Sequence, residues 1–147
     1  PITFDQWRGT KFSSLQMFTQ LVSAASSDPD GDGFSNLLES AFGGDPLAPD
    51  NVLITPTYNL TGNVSQIRFI CDAYRSDLIY TVQVSRDVSN ENSWEPLARS
   101  VAGGATQVLR NGVTVQDSKI GTREVSVAHT RALSDTTLFY RVFVESL

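Results

Sequence analysis

The 147-residue chain is poor in the residue types that build disulfides, histidine metal sites and nucleic-acid interfaces. Cys71 is its single cysteine, so no intrachain disulfide can form, and His129 is its single histidine. Acidic residues number 16 against 11 basic ones, which gives a formal net charge of −5, and no basic stripe is present. This charge pattern disfavours nucleic acid and anionic membrane surfaces as partners.

Long apolar runs are also missing. No segment approaches the roughly 18 apolar residues that cross a bilayer, so membrane insertion is not expected. There is no charged-then-apolar signal segment, and the chain begins at Pro1 and not at Met, which indicates a processed or excised part of a longer protein. The hydrophobic content of 40%, with 10% aromatic residues, is that of a globular domain.

Helical patterning covers the first 27 residues. We expect Gly9 and Thr10 to separate a short first helix from a second helix. The second carries an amphipathic stripe at helical spacing, formed by Leu15, Phe18, Leu21 and Val22. This stripe is expected to pack on the rest of the domain, the alternative being a helix offered to an outside partner.

From Val52 onward the apolar period changes from about 3.6 to 2, which indicates strands. Strands are predicted over 64–71, 78–85, 124–128 and 138–144, the last of them central and buried on both faces. Asn111-Gly112 predicts a hairpin between 107–110 and 113–116. Together these patterns favour a mainly β fold, an antiparallel β-sandwich of immunoglobulin or fibronectin III type over 51–147. A helical segment over 1–50 precedes it, with a hinge at 46–51, and the two parts are expected to form one compact unit.

The segment 28–39, DPDGDGFSNLLE, has oxygen ligands at the spacing of an EF-hand-like calcium loop. Gly33 occupies the sharp turn, and a short helix over 35–42 follows, ended by Gly43 and Gly44. Phe34 needs to offer only its backbone carbonyl, so its side chain is free to pack inward. The predicted metal ligands are Asp28, Asp30, Asp32, Phe34, Asn36 and Glu39.

Charge supports the same assignment. Carboxylates confined to such a short loop repel one another unless a cation lies among them. Ligand sets made of oxygen alone favour a hard cation, and a flexible shell of about seven ligands favours calcium over magnesium. An acidic turn that caps a helix without metal is the alternative.

The longer stretch DPDGDGFSNLLESAFGGDPLAPD, residues 28–50, resembles the thrombospondin type 3-like calcium repeats of secreted bacterial proteins. The resemblance implies a secreted or cell-surface location and makes Asp45 and Asp50 possible further ligands. Such repeats usually occur in tandem, whereas strand sequence follows here, so one main ion is expected. Tyr80, Val82, Ser85 and Trp94 also resemble a pattern in C-terminal modules of large secreted proteins from polymer-degrading bacteria.

No catalytic constellation accompanies the loop. His129 is expected at the surface or at a strand end, and Cys71 is expected as a small buried hydrophobe. We therefore expect a protein that is not an enzyme: a calcium-stabilised accessory module of a larger secreted or cell-surface bacterial protein, with neighbouring domains as partners. One alternative is a calcium-dependent carbohydrate-binding module that contacts polysaccharide through Trp7, Trp94, Tyr58 and Tyr74. The other is protein–protein adhesion through sheet edges or the helical stripe.

Overall fold

The structure, a computed structural model, describes residues 2–118, 122–135 and 137–147. Five short α-helices lie mainly in the first third of the chain: α1 Phe4–Lys11, α2 Ser14–Met17, α3 Gln20–Ser23, α4 Asn36–Phe42 and α5 Asn51–Ile54. Eight strands follow: β1 Thr57–Thr61, β2 Val64–Asp72, β3 Leu78–Ser85, β4 Glu95–Val101, β5 Gln107–Val108, β6 Val113–Asp117, β7 Thr122–Thr130 and β8 Phe139–Ser146. A 3₁₀ turn at Glu91–Ser93 precedes β4. No helix of the described residues is long and apolar enough to cross a membrane.

The strands form two antiparallel sheets with the orders β1-β2-β7-β6 and β5-β4-β3-β8. Alternate residues of β2, such as Ile67, Phe69 and Cys71, are buried, as are Tyr80 and Val82 of β3, in agreement with the period of 2. The inward faces of both sheets contribute to one hydrophobic core. The predicted mainly β, sandwich-like architecture is confirmed at this level.

The predicted Asn111-Gly112 hairpin is wrong. β5 pairs with β4 in the second sheet, whereas β6 pairs with β7 in the first, so the dipeptide connects the two sheets. Gly112 has φ 76°, but Asn111 lies outside the left-handed region, and a type I′ turn needs both residues there. The Gly112 carbonyl instead accepts a hydrogen bond from Thr130 N at 2.8 Å.

The last strand is also placed differently from the prediction. β8 lies at an edge of its sheet, not at the centre, and within the described part of the chain it pairs with β3 alone. Phe139 and Phe143 are 39% and 38% exposed, so one face of the strand is open to solvent. The strongly apolar sequence of β8 predicted a central strand. An apolar pattern indicates how buried a strand is on average, but it does not indicate how many strands lie beside it.

The N-terminal helices also depart from expectation. α1 continues through Gly9 and Thr10 to Lys11. Thr19 has extended backbone angles, which divides the following stretch into the one-turn helices α2 and α3. The residues of the predicted stripe therefore do not share one helical face. The prediction that the stripe packs on the domain is wrong, because Leu15, Phe18 and Leu21 are 79%, 88% and 89% exposed.

Helix α4 attaches the helical part to the sheets. It ends, as predicted, at a left-handed Gly43 with φ 85°. The ring of Phe42 lies in the core, edge-on to Phe69 and Tyr80, with centroid distances of 6.5 and 6.2 Å. Tyr80 OH donates to the carbonyl of Ala41 at 2.7 Å, which satisfies an orphan carbonyl of the last turn.

Candidate metal centre

The acidic loop folds through hydrogen bonds from its own backbone. Asp28 accepts from Gly31 N at 2.9 Å and from Gly33 N at 3.0 Å. Asp32 N donates to Asp30 Oδ1 at 3.2 Å, so both carboxylates accept hydrogen bonds from the backbone of the loop. Gly33 has φ 96°, a left-handed conformation that explains why glycine is needed there.

Two overlapping groups of carboxylates result. One ligand oxygen from each of Asp28, Asp30 and Asp32 lies within 4.8 Å of the others. Asp32, Glu39 and Asp50 form a second group of the same tightness, so Asp32 belongs to both. These five carboxylates form what we call the acidic centre.

Asp50 enters the acidic centre because the chain folds back on the loop. Asp32 Oδ2 accepts hydrogen bonds from the backbone nitrogens of Asp50 at 3.0 Å and Asn51 at 2.8 Å. Asn51 Nδ2 also donates to the carbonyl of Asp32. Residues 46–51, predicted as a hinge, are thus fastened to the loop. Asp45 is in neither carboxylate group, although its backbone nitrogen donates to Asp50 Oδ2 at 3.0 Å.

Glu39 is the most informative residue of the centre. It is 1% exposed, and neither of its carboxylate oxygens has a hydrogen-bond partner among the described residues. Burial and then repulsion from Asp50, Asp32 and Asp30 raise the pKa of Glu39 from 4.5 to about 8. Asp30 and Asp50 of the acidic centre also each have a buried oxygen without a hydrogen-bond partner among the described residues. Buried carboxylates without donors are expensive unless a cation supplies the missing charge.

The electrostatics of the other loop carboxylates differ. Burial raises the pKa of Asp30, with repulsion from Asp32 and Asp28 acting in the same direction. Hydrogen bonds from the backbone nitrogens of Phe34, Asp50 and Asn51 lower the pKa of Asp32. These hydrogen bonds favour the ionised form of Asp32, the residue that both carboxylate groups share.

Phe34 and Asn36 take up different positions around the loop. The ring of Phe34 packs edge-on against Phe42, with centroids 6.4 Å apart, as its predicted position allowed. Asn36 is fully buried, and its Nδ2 donates to the carbonyls of Val22 and Ala24 at 2.7 and 2.8 Å. Asn36 therefore anchors the end of α3 to the loop, and its buried Oδ1 has no hydrogen-bond partner among the described residues.

Gly44 has a role that the sequence reasoning missed. A Cβ at this position would lie 1.8 Å from Oε2 of Glu39 and 2.8 Å from Cδ1 of Ile54. The missing side chain therefore provides the space for the Glu39 carboxylate. The sequence signal was the second glycine of the pair, because one left-handed glycine is enough to end α4.

Known families add nothing to this picture. No family model matches the chain, and no curated protein or solved structure matches it. The resemblance of residues 28–50 to thrombospondin type 3-like repeats stays a prediction based on those residues.

The four aromatic residues predicted for ligand contact lie on separate elements. Trp7 of α1 stacks on Phe4, and Tyr58 of β1 stacks on Tyr140, with centroids 5.6 and 5.5 Å apart. The guanidinium of Arg141 covers the ring of Trp94 at 4.2 Å, while Tyr74 is 57% exposed in the β2–β3 loop. Among the described residues no ring contact joins any two of the four, so they do not make a shared platform.

His129 and Cys71 are both buried. His129 was expected at the surface or at a strand end, and it lies at the end of β7. It is only 8% exposed, and its Nδ1 lies 3.0 Å from Tyr140 OH. Burial lowers the pKa of His129, which favours the neutral imidazole. Cys71 is fully buried as predicted, and Arg123 Nε contacts its Sγ at 3.0 Å. Burial raises the pKa of Cys71, which disfavours a reactive thiolate.

Proposed function

We propose that the chain is a non-catalytic module stabilised by a structural calcium ion, belonging to a larger secreted or cell-surface protein. The observation that carries the proposal is the buried carboxylate of Glu39, which has no hydrogen-bond donor among the described residues and lies beside Asp32 and Asp50. Asp28, Asp30, Asp32, Glu39 and Asp50 would hold the ion, with Asn36 Oδ1 and the carbonyl of Phe34 as further oxygens. Such a set matches the 6–8 oxygen ligands that calcium prefers.

The contacts of the acidic centre support a structural role for the ion. Asp32 holds the start of α5, and Glu39 belongs to α4, whose Phe42 lies in the core between the sheets. A cation that neutralises these carboxylates would stabilise both helices against the β part. We further propose an immunoglobulin- or fibronectin III-type sandwich, because the order β1-β2-β7-β6 corresponds to the A-B-E-D sheet of that architecture.

Thermal unfolding with and without calcium tests the proposal. An ion that binds only the folded chain at one hundred times its Kd adds about 3 kcal/mol of stability. For a chain of this length that shifts the melting temperature by roughly 10 °C. Calcium is expected to give this shift and magnesium a smaller one, and calorimetric titration should show one main ion. Equal melting temperatures in chelator and in millimolar calcium would refute a structural calcium ion.

A paired variant separates the site from general charge effects. Asp50→Asn removes a carboxylate of the acidic centre and should reduce the calcium-induced shift strongly. Asp5→Asn is the matched control, since the Asp5 side chain is 80% exposed on α1 and pairs with Arg8 alone among the described residues. An equal calcium response in Asp50→Asn and in the control would remove Asp50 from the ligand set.

A further inference from the structure

The free edge of β8 is the longest unpaired edge in the two sheets. β8 has eight residues, compared with five in the edge strands β1 and β6 and two in β5. Among the described residues no backbone hydrogen bond reaches β8 from the side opposite β3. A long exposed edge without proline is a template for another strand.

The backbone groups that face this edge can be identified. Leu147 N donates to Asp77 O at 2.8 Å, which continues the β3–β8 register in which Ser146 lies opposite Leu78. Because hydrogen-bonded and non-hydrogen-bonded pairs alternate in an antiparallel ladder, odd-numbered residues of β8 bond to β3. The backbone groups of Tyr140, Val142, Val144 and Ser146 therefore point to the free edge.

An apolar groove runs beside the same edge. It has a volume of about 230 Å³ and lies between β1 and β8, where Tyr58, Ile67, Leu138 and Val142 contribute to its lining. The inward residues Tyr140, Val142 and Val144 are only half-buried, whereas those of the neighbouring β3 are buried. A further strand beside β8 would direct alternate side chains into this groove.

We propose that the occupant is a second copy of this chain, with two β8 strands paired antiparallel about a two-fold axis. If Phe143 of one copy lies opposite Phe143 of the other, Val142 of each copy lies opposite Val144 of its partner. The backbone groups of both valines point to the free edge, so this register forms a regular antiparallel hydrogen-bond ladder. The same register sets Arg141 of each copy opposite Glu145 of the other. Opposite charges directly across a non-hydrogen-bonded pair are favourable, and the symmetry provides this pair twice.

The charges select this register from its neighbours. Centring on Val142 would place Arg141 opposite Phe143, and centring on Val144 would place Glu145 opposite Phe143. Glu145 is exposed and has no ion pair among the described residues. Arg141 pairs with Glu91, but the Glu91 side chain is 75% exposed, so this ion pair contributes little to stability. The Arg141 guanidinium therefore remains able to donate hydrogen bonds to a second carboxylate.

Sedimentation equilibrium in millimolar calcium tests the inference. A single strand-to-strand contact buries a small area, so we expect a weak dimer whose mass rises from monomer to dimer with concentration. Phe143→Lys places two ammonium groups face to face at the axis and should weaken dimerisation about tenfold. Val101→Lys is the control, because Val101 is 43% exposed on β4 and outside the proposed contact.

Charge exchange tests the register itself. Glu145→Arg and Arg141→Glu should each weaken self-association, since each sets like charges opposite one another. Mixing the two variants restores opposite charges at both positions and should recover the dimer. A monomer at every concentration overturns the proposal, as does a dimer insensitive to Phe143→Lys or a mixture no stronger than its components. None of these results bears on the calcium-dependent melting.

Discussion

Replacing Glu39 by Gln should change the stability of the protein in opposite directions with and without calcium. In the metal-free chain the substitution removes a carboxyl that must take up a proton to be buried, because neither of its oxygens has a donor among the described residues. In the calcium form it removes a ligand able to offer two oxygens. The sign reversal is specific to a cation site, because a residue with a purely structural role would lower stability in both conditions.

The metal-free effect can be estimated from the pKa of Glu39, which folding raises from 4.5 to about 8. Below the lower value the carboxyl is protonated in both the folded and unfolded chains, so it makes no difference to stability. Between the two values the folded state must take up a proton, which costs about 3 kcal/mol at pH 7. A glutamine amide in the same place still lacks partners, so we expect a net gain nearer 1 kcal/mol, or about 4 °C in melting temperature.

The calcium form should show the reverse. The wild-type chain gains about 3 kcal/mol at a calcium concentration of one hundred times Kd. The neutral glutamine offers a single carbonyl oxygen, so its calcium affinity should fall at least about tenfold and most of the gain should disappear. Glu39→Gln should therefore melt above the wild type in chelator and below it in calcium.

Differential scanning calorimetry at pH 7 in both conditions measures the two differences. Glu124→Gln provides the same chemical change at an exposed residue of β7 and should leave both melting temperatures nearly unchanged. A variant less stable than the wild type in chelator would refute the cost assigned to the buried charge. A variant more stable in both conditions would refute the cation site.

Other substitutions and a change of pH examine the surroundings of the site. The metal-free wild type should lose stability as the pH rises from about 4.5 to 8, because ionisation of Glu39 then opposes folding, and a flat profile of melting temperature would contradict its raised pKa. Phe42→Ala should lower the unfolding free energy by about 4 kcal/mol in urea titrations, against less than about 0.5 kcal/mol for the exposed Leu21→Ala. Gly43→Ala should cost about 1 kcal/mol through its left-handed φ alone and keep the calcium shift. Gly44→Ala should abolish the calcium-induced rise in melting temperature, because its Cβ would displace the Glu39 carboxylate, and a normal calcium response would contradict that contact.

The acidic loop and the three strands β2, β3 and β7 could be predicted because their signals are local. The spacing of Asp28, Asp30 and Asp32 and the alternation along each strand are fixed by residues close in sequence. The turn chemistry of Asn111-Gly112 is local too, yet the pairing it implied is wrong. Whether two strands joined by a turn pair with one another depends on which sheet each one joins, and that is decided by contacts distant in sequence.

The membership of Asp50 in the acidic centre illustrates the same limit at the site. Its carboxylate lies beside Glu39 only because residues 46–51 fold back and the backbone of Asp50 and Asn51 donates to Asp32. The sequence offered an aspartate after two prolines, which suits a turn as well as a ligand. Likewise, the apolar spacing of Leu15, Phe18 and Leu21 predicted one helical face, but an extended Thr19 interrupts the helix.

The contacts beyond α4 show how a cation in the acidic centre would reach the β part of the molecule. Arg75, 1% exposed in the β2–β3 loop, donates through Nη1 to the carbonyl of Ser40 and pairs with Asp77 at 3.0 Å. Asp77 in turn accepts from the backbone nitrogen of Phe4, at the start of α1. A displacement of α4 would therefore leave Nη1 of the buried Arg75 guanidinium without its carbonyl partner, and a buried donor without an acceptor is costly. Repulsion within the acidic centre would oppose this position of α4 when no cation is present, while Arg75, Tyr80 and Phe42 hold the helix in place. A calcium ion there would remove this repulsion, which is the basis of the stabilising role that we propose for it.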